Sequence, residues 1–135
     1  MKGKVLRKIK ENKATYRKDV PYDIRERAFQ FALRVVNFVR SLPQDRTAQT
    51  LGQQLLRSAT SVGANIEESD GSTTAKDRTY KRALSRKETR ETRYWLRLIR
   101  ASIIDNEEAK SLQQESEELI RILSTLITKN VPPPT

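Results

Sequence analysis

The sequence contains neither cysteine nor histidine. That pair of absences removes thiolate and imidazole chemistry: no zinc site of the common kinds, no nucleophile activated by a histidine base, no haem-ligating imidazole and no disulfide framework. Glycine is scarce at four residues, and the five prolines stand at Pro21, Pro43 and Pro132 to Pro134, so long stretches carry no helix breaker. Long apolar runs are missing as well. None approaches the ~20 residues that span a bilayer, and the start Met1-Lys2-Gly3-Lys4-Val5-Leu6-Arg7-Lys8 lacks the apolar centre of a signal peptide. Nor is there a Gly-rich phosphate loop, a nucleophile elbow or an acidic metal cluster. The expectation is a cytoplasmic, non-enzymatic chain without metal, cofactor or membrane contact.

What the chain does hold is 135 residues, enough for one domain with a real core, and 27 Lys and Arg against 17 Asp and Glu, a formal net charge of +10. Such a balance favours polyanionic partners without choosing among them. Residues 1–20 are expected to form a flexible basic arm, residues 21–130 a helical domain, and residues 131–135 a stiff Pro-rich tail.

Within the domain the apolar spacing predicts four helices. Asp23 is a plausible cap for the first, whose inner stripe is Ile24, Ala28, Phe31, Val35, Phe38, Val39 and Leu42 before Pro43 ends it. Thr47 can cap a second helix carrying Leu51, Leu55, Val62 and Ile66 and closing near Gly71. A third follows the Ser72-Thr73-Thr74 cap from Ala75 to about Ile103, with Tyr80, Leu84, Tyr94, Trp95 and Leu98 on what reads as its inner side. The fourth opens on Glu107 and Glu108 and carries Leu112, Leu119, Ile120, Leu123, Leu126 and Ile127. Short links allow only antiparallel neighbours, so the expected fold is all-α, an up-down-up-down four-helix bundle.

The positive charge is unevenly placed. Residues 1–20 hold eight basic and two acidic residues, and residues 72–104 hold ten and three, whereas the second half of the remainder, residues 105–135, is net acidic. On the third helix Arg78, Arg82, Arg86, Arg90, Arg93, Arg97 and Arg100 recur every three or four residues, which confines them to an arc of about 120°. Arginine presents a planar fork of donors suited to phosphate oxygens, so this ridge can track a nucleic-acid backbone without reading its sequence. The competing account is a solvated outer face, and an acidic protein surface would satisfy the ridge equally. Lys2, Lys4, Arg7, Lys8 and Lys10 in the arm are further candidates for phosphate contact, or serve only solubility.

Three other features ask for a reason. Glu91 falls between Leu84 and Leu98 and needs a partner, for which Arg57 and Asn65 are candidates in a structural polar cluster. Gly63 lies inside the second helix among Ser58, Ala59, Ser61 and Ala64, which indicates close approach of a neighbour, either within the chain or from another subunit. Phe29, Leu33 and Val36 form a second apolar strip on the first helix, which marks either an oligomer interface or an unusually wide core face.

Three blocks carry a family resemblance: Asp23-Ile24-Arg25-Glu26-Arg27-Ala28-Phe29, then residues 54–68 with Arg57-Ser58-Ala59-Thr60-Ser61-Val62-Gly63-Ala64-Asn65-Ile66-Glu67-Glu68, then residues 88–98 with Arg93-Tyr94-Trp95-Leu96-Arg97. Over roughly residues 22–128 the chain resembles the four-helix-bundle proteins encoded in intervening sequences of bacterial large-subunit (23S) ribosomal RNA genes. That resemblance implies a protomer assembling as a ring-like homopentamer, with no catalytic residues to transfer. More distantly the chain is similar to the accessory variability determinant of diversity-generating retroelements, a basic pentamer that binds nucleic acid and a reverse transcriptase. The resemblance thus implies a second copy of the chain as a partner and, through the more distant relative, nucleic acid and a reverse transcriptase; an acidic protein surface of that kind is the alternative the arginine ridge itself leaves open.

Overall fold

The computed structural model describes residues 22–133. Four helices occupy most of that span: α1 Tyr22–Arg40, α2 Arg46–Asp70, α3 Ala75–Ser102 and α4 Glu107–Thr128. Each helix packs on its sequence neighbours, and α4 closes the ring against α1, giving the antiparallel four-helix bundle. The arm and its five named basic residues lie outside the described residues.

Helix starts follow the side chains that can satisfy free backbone N–H groups. Asp45 caps α2 by accepting from the Ala48 amide at 2.8 Å, so the cap stands two residues before Thr47. Thr74 accepts from Asp77 N at 3.1 Å and Asn106 from Ala109 N at 2.8 Å. The first helix begins at Tyr22, which puts Asp23 inside it and not at its cap.

The stripes on α1, α2 and α4 supply most of the core, with Phe31, Val35, Leu55, Val62, Leu112, Leu119 and Leu123 fully buried. Val39 and Leu51 pack against it half-buried, and Ile120 and Ile127, expected in the α4 stripe, lie at its flank. The third helix departs from expectation. Its buried face is Arg82, Ser85, Thr89, Thr92, Leu96 and Ile99, while Tyr80 and Tyr94 are exposed and Leu84 and Leu98 only half-buried. Tyr80, Leu84, Tyr94 and Leu98 are in register with one another, but off the face that meets the core, which Leu96 and Ile99 supply instead.

Small hydroxyl residues make that possible. Thr89 donates to Ser85 O at 2.7 Å and Thr92 to Glu88 O at 2.8 Å, each satisfied within its own helix and presenting a methyl group outward. Ser85 reaches across to Val62 O at 2.8 Å, and Thr92 Oγ1 lies 2.8 Å from Ser58 Oγ. The hydroxyl groups of Ser58, Ser85, Thr89 and Thr92 along the α2–α3 seam are therefore hydrogen-bonded, and bulky side chains stand at its flanks.

The small-residue run around Gly63 has an intramolecular neighbour. A Cβ at Gly63 would sit 3.7 Å from Ala28 Cβ of α1, ordinary van der Waals distance. Gly63→Ala should therefore raise stability by about 0.5–1 kcal/mol through reduced unfolded-state entropy. Urea denaturation measures this directly, and a fall in midpoint would refute it. Gly52 is different: a Cβ there would meet Leu42 Cδ1 at 3.1 Å and Val39 Cγ1 at 3.3 Å, so the α1 end would have to shift.

At the far end Asn130 takes a left-handed φ of 48° and turns the chain so that Val131 packs against the core. The tail thus departs only after Val131. Thr79 donates to Asn130 Oδ1 at 3.2 Å, fastening this turn to the start of α3.

Candidate nucleic-acid interface

Helix α3 lies with its arginine ridge turned toward α4, and the seven arginines divide into separate groups. Arg82 is buried, 2% exposed, and donates to the carbonyl of Val131. Burial pulls its pKa below the usual arginine value, and the Asp70 carboxylate partly restores it. Arg82 therefore leaves the candidate surface and belongs to the framework. Arg100 is also engaged: its Nε donates to Asp105 Oδ1 at 2.8 Å and its Nη1 to Gln113 Oε1 at 2.6 Å, tying α3 to the α3–α4 turn and to α4. Arg78 is half-buried, with an Nε that has no hydrogen-bond partner.

The middle of the ridge is left. Arg86 rests on α4, its Nη1 3.2 Å from Ser124 Oγ, while Arg90 and Arg97 are exposed and Arg93 is half-exposed. Among the described residues, none of Arg90, Arg93 and Arg97 makes a side-chain hydrogen bond or ion pair. Elsewhere arginines are commonly neutralised: Arg27 meets Glu115 at 2.6 Å, Arg34 meets Glu108 at 2.6 Å, and Arg121 meets Glu118.

Arg57 and Glu91 pair across the outer edge of the α2–α3 seam, and Arg57 also lies 3.5 Å from Glu88. Asn65 is not part of this cluster, because its amide donates to Ser61 O at 2.9 Å within α2. Glu91 is a third exposed and accepts in addition from Trp95 Nε1 at 3.3 Å. Spacing of four residues on one helix carries that contact, a signal readable in advance. On α1, Phe29 is 58% exposed and Leu33 and Val36 are half-exposed, so this strip is not absorbed by the protomer's own core.

Asp70 closes α2 beside Arg25, whose Nε stands 3.4 Å from its Oδ2 without hydrogen-bond geometry. Burial pushes this carboxyl up, and the Arg25 and Arg82 charges offset only part of the rise. Asp105 and Glu118 move the opposite way, held down by hydrogen bonds from Arg100 and Arg121. On acidification Asp70 should thus take its proton before Asp105. Because its folded pKa is raised, that protonation stabilises the fold relative to the unfolded chain as pH falls. Carboxyl carbon NMR titration checks the order, and a lower midpoint for Asp70 than for Asp105 would refute it.

A cavity of about 260 Å³ between the end of α1 and the start of α2 is lined by Val39, Leu42, Pro43, Leu56 and three glutamines with Ala48, and holds no titratable side chain. Among the described residues no three acidic side chains come together to hold a metal ion, and no helix is long and apolar enough to cross a membrane.

Fold and surface together define an antiparallel four-helix bundle whose third helix exposes unpaired arginines. The chain belongs to the 23S rRNA-intervening sequence protein family, whose model matches residues 21–125. It is similar to a crystal structure of a protein of unknown function from the S23 ribosomal protein family of Bacteroides thetaiotaomicron VPI-5482, at 34% identity and a TM-score of 0.71, covering 77% of this chain and 97% of the other. No curated protein matches the chain.

Proposed function

We propose that this chain is a non-catalytic nucleic-acid-binding protein that self-associates, and that its phosphate contacts come from Arg86, Arg90, Arg93 and Arg97. The observation that carries this reading is the contrast among arginines: Arg27, Arg34, Arg57, Arg100 and Arg121 each face a carboxylate, while Arg90, Arg93 and Arg97 share one outward arc with no counter-charge. Unpaired guanidinium groups at helical spacing fit a run of backbone phosphates. The basic arm would add contacts from the same subunit.

Self-association is supported by the Phe29, Leu33 and Val36 strip, which a second copy would cover. In a ring-like homopentamer the arginine arcs of several subunits would act on one strand, raising avidity beyond any single site. Native mass spectrometry and an RNA titration test the two halves separately. The expected results are a multiple of the 15.6 kDa chain mass and binding that weakens steeply with salt. A monomer would remove the self-association claim, and no RNA binding at about 50 mM salt would overturn the binding claim.

A further inference from the structure

The arginine arc has an aromatic neighbour. Tyr94 is 55% exposed, and on α3 it lies one turn beyond Arg90 and one turn before Arg97, so its ring stands between two unpaired guanidinium groups on the helix surface. Exposed Lys87 continues the same strip one turn earlier.

That ring is held in place from behind. Trp95 meets Tyr94 edge to face, with ring centroids 5.2 Å apart and planes at 74°. Trp95 itself packs against the core and donates its Nε1 to Glu91 Oε1 at 3.3 Å, and Glu91 is paired with Arg57 of α2. A chain of contacts from α2 through Glu91 and Trp95 therefore braces an aromatic ring that leaves more than half of its surface open to solvent. An exposed tyrosine contributes little to protomer stability, so a buttress of this kind is better accounted for by something the ring must meet.

From this geometry we infer that the ligand of the arginine arc is single-stranded nucleic acid, with Tyr94 as a stacking platform for an unpaired base. The inference rests on the nucleic-acid reading above and adds the strand state of the ligand. A duplex hides the faces of its bases in the stack and offers an arginine ridge only phosphates. A single strand offers phosphates to Arg90 and Arg97 and a free base face to the ring between them, and stacking accepts any base. The opposite charges of strand and arc make the fit electrostatic as well as apolar.

Fluorescence anisotropy with a labelled oligouridylate and with a blunt-ended RNA duplex of equal phosphate count tests it on the full chain. The single strand should bind more tightly than the duplex. Tyr94→Ala should weaken oligouridylate binding about tenfold with an unchanged salt slope and leave the duplex unaffected, and Tyr94→Phe should bind as the parent does. Trp95 is the only tryptophan in the chain, so its intrinsic emission should respond to oligouridylate and not to the duplex. Equal affinity for both RNAs with Tyr94→Ala harmless would overturn the inference while leaving the nucleic-acid reading intact. A change of native mass in Tyr94→Ala would also overturn it, by assigning the ring to a subunit contact. Binding of neither RNA would overturn both.

Discussion

Replacing Arg82 with alanine is expected to cost about 3 kcal/mol of folding stability, whereas Arg90→Ala should change it by less than about 0.5 kcal/mol. The two residues are of one type on one helix ridge, two turns apart. They differ in surroundings: Arg82 is almost wholly buried, holds the Val131 carbonyl and supplies positive charge to Asp70, while Arg90 is exposed and unpaired. Truncating Arg82 leaves a part-buried carbonyl without its donor and a largely shielded carboxylate with Arg25 as its remaining compensating cation. The deficit should be smaller in acid than at neutral pH, because a protonated Asp70 no longer needs Arg82. Urea melts of both variants at pH 7 and near the Asp70 titration provide the check. Equal stability of the two variants would mean that Arg82 is part of the surface after all.

This division of the ridge also marks where sequence reading stops. The inner faces of α1 and α4 were legible because large aliphatic and Phe residues dominate them, and on α2 Leu55, Val62 and Ile66 set the direction although the rest of its buried face is Ala, Gly and Ser. On α3 the hydrophobic period had two solutions. Tyr80, Leu84, Tyr94 and Leu98 align as well as any core stripe, but a face of Ser85, Thr89, Thr92, Leu96 and Ile99 lets α2 approach more closely and satisfies its own hydroxyl groups. Hydropathy scores a threonine bonded to its own helix as polar, although what it shows to a neighbour is largely a methyl group. Choosing the wrong face of α3 places all seven arginines opposite the core, whereas the true core direction runs past Arg82 itself. The partner of Glu91 was readable, since α2 offers Arg57 at the right height, but its premise was not: the pair stands at the outer edge of the seam, with Glu91 a third exposed, and not inside an apolar face. The docking of Val131 was not, since the partner of Arg82 is a main-chain carbonyl, which every residue possesses.

The largest effect on binding should come from reversing the charge of the free arc. Arg90→Glu, Arg93→Glu and Arg97→Glu together are expected to lower RNA affinity at least about 100-fold, because each lost phosphate contact is a charge-assisted hydrogen bond and each glutamate adds repulsion. The slope of log affinity against log salt should become shallower by about 2, as expected for three contacts to a single strand. Stability should be retained, since none of the three residues has a protein partner to lose among the described residues. A matched triple variant, Arg40→Glu with Arg46→Glu and Lys76→Glu, changes the net charge by the same amount at exposed positions elsewhere. If both variants lose affinity equally, binding is a response to overall charge and the arc is not a site. If the arc variant keeps RNA and loses a co-purifying acidic protein, the ridge is a protein-docking surface. Selective loss of RNA by the arc variant alone is the outcome that the placement of unpaired arginines around a buttressed ring leads to, because only there do orientation and charge coincide.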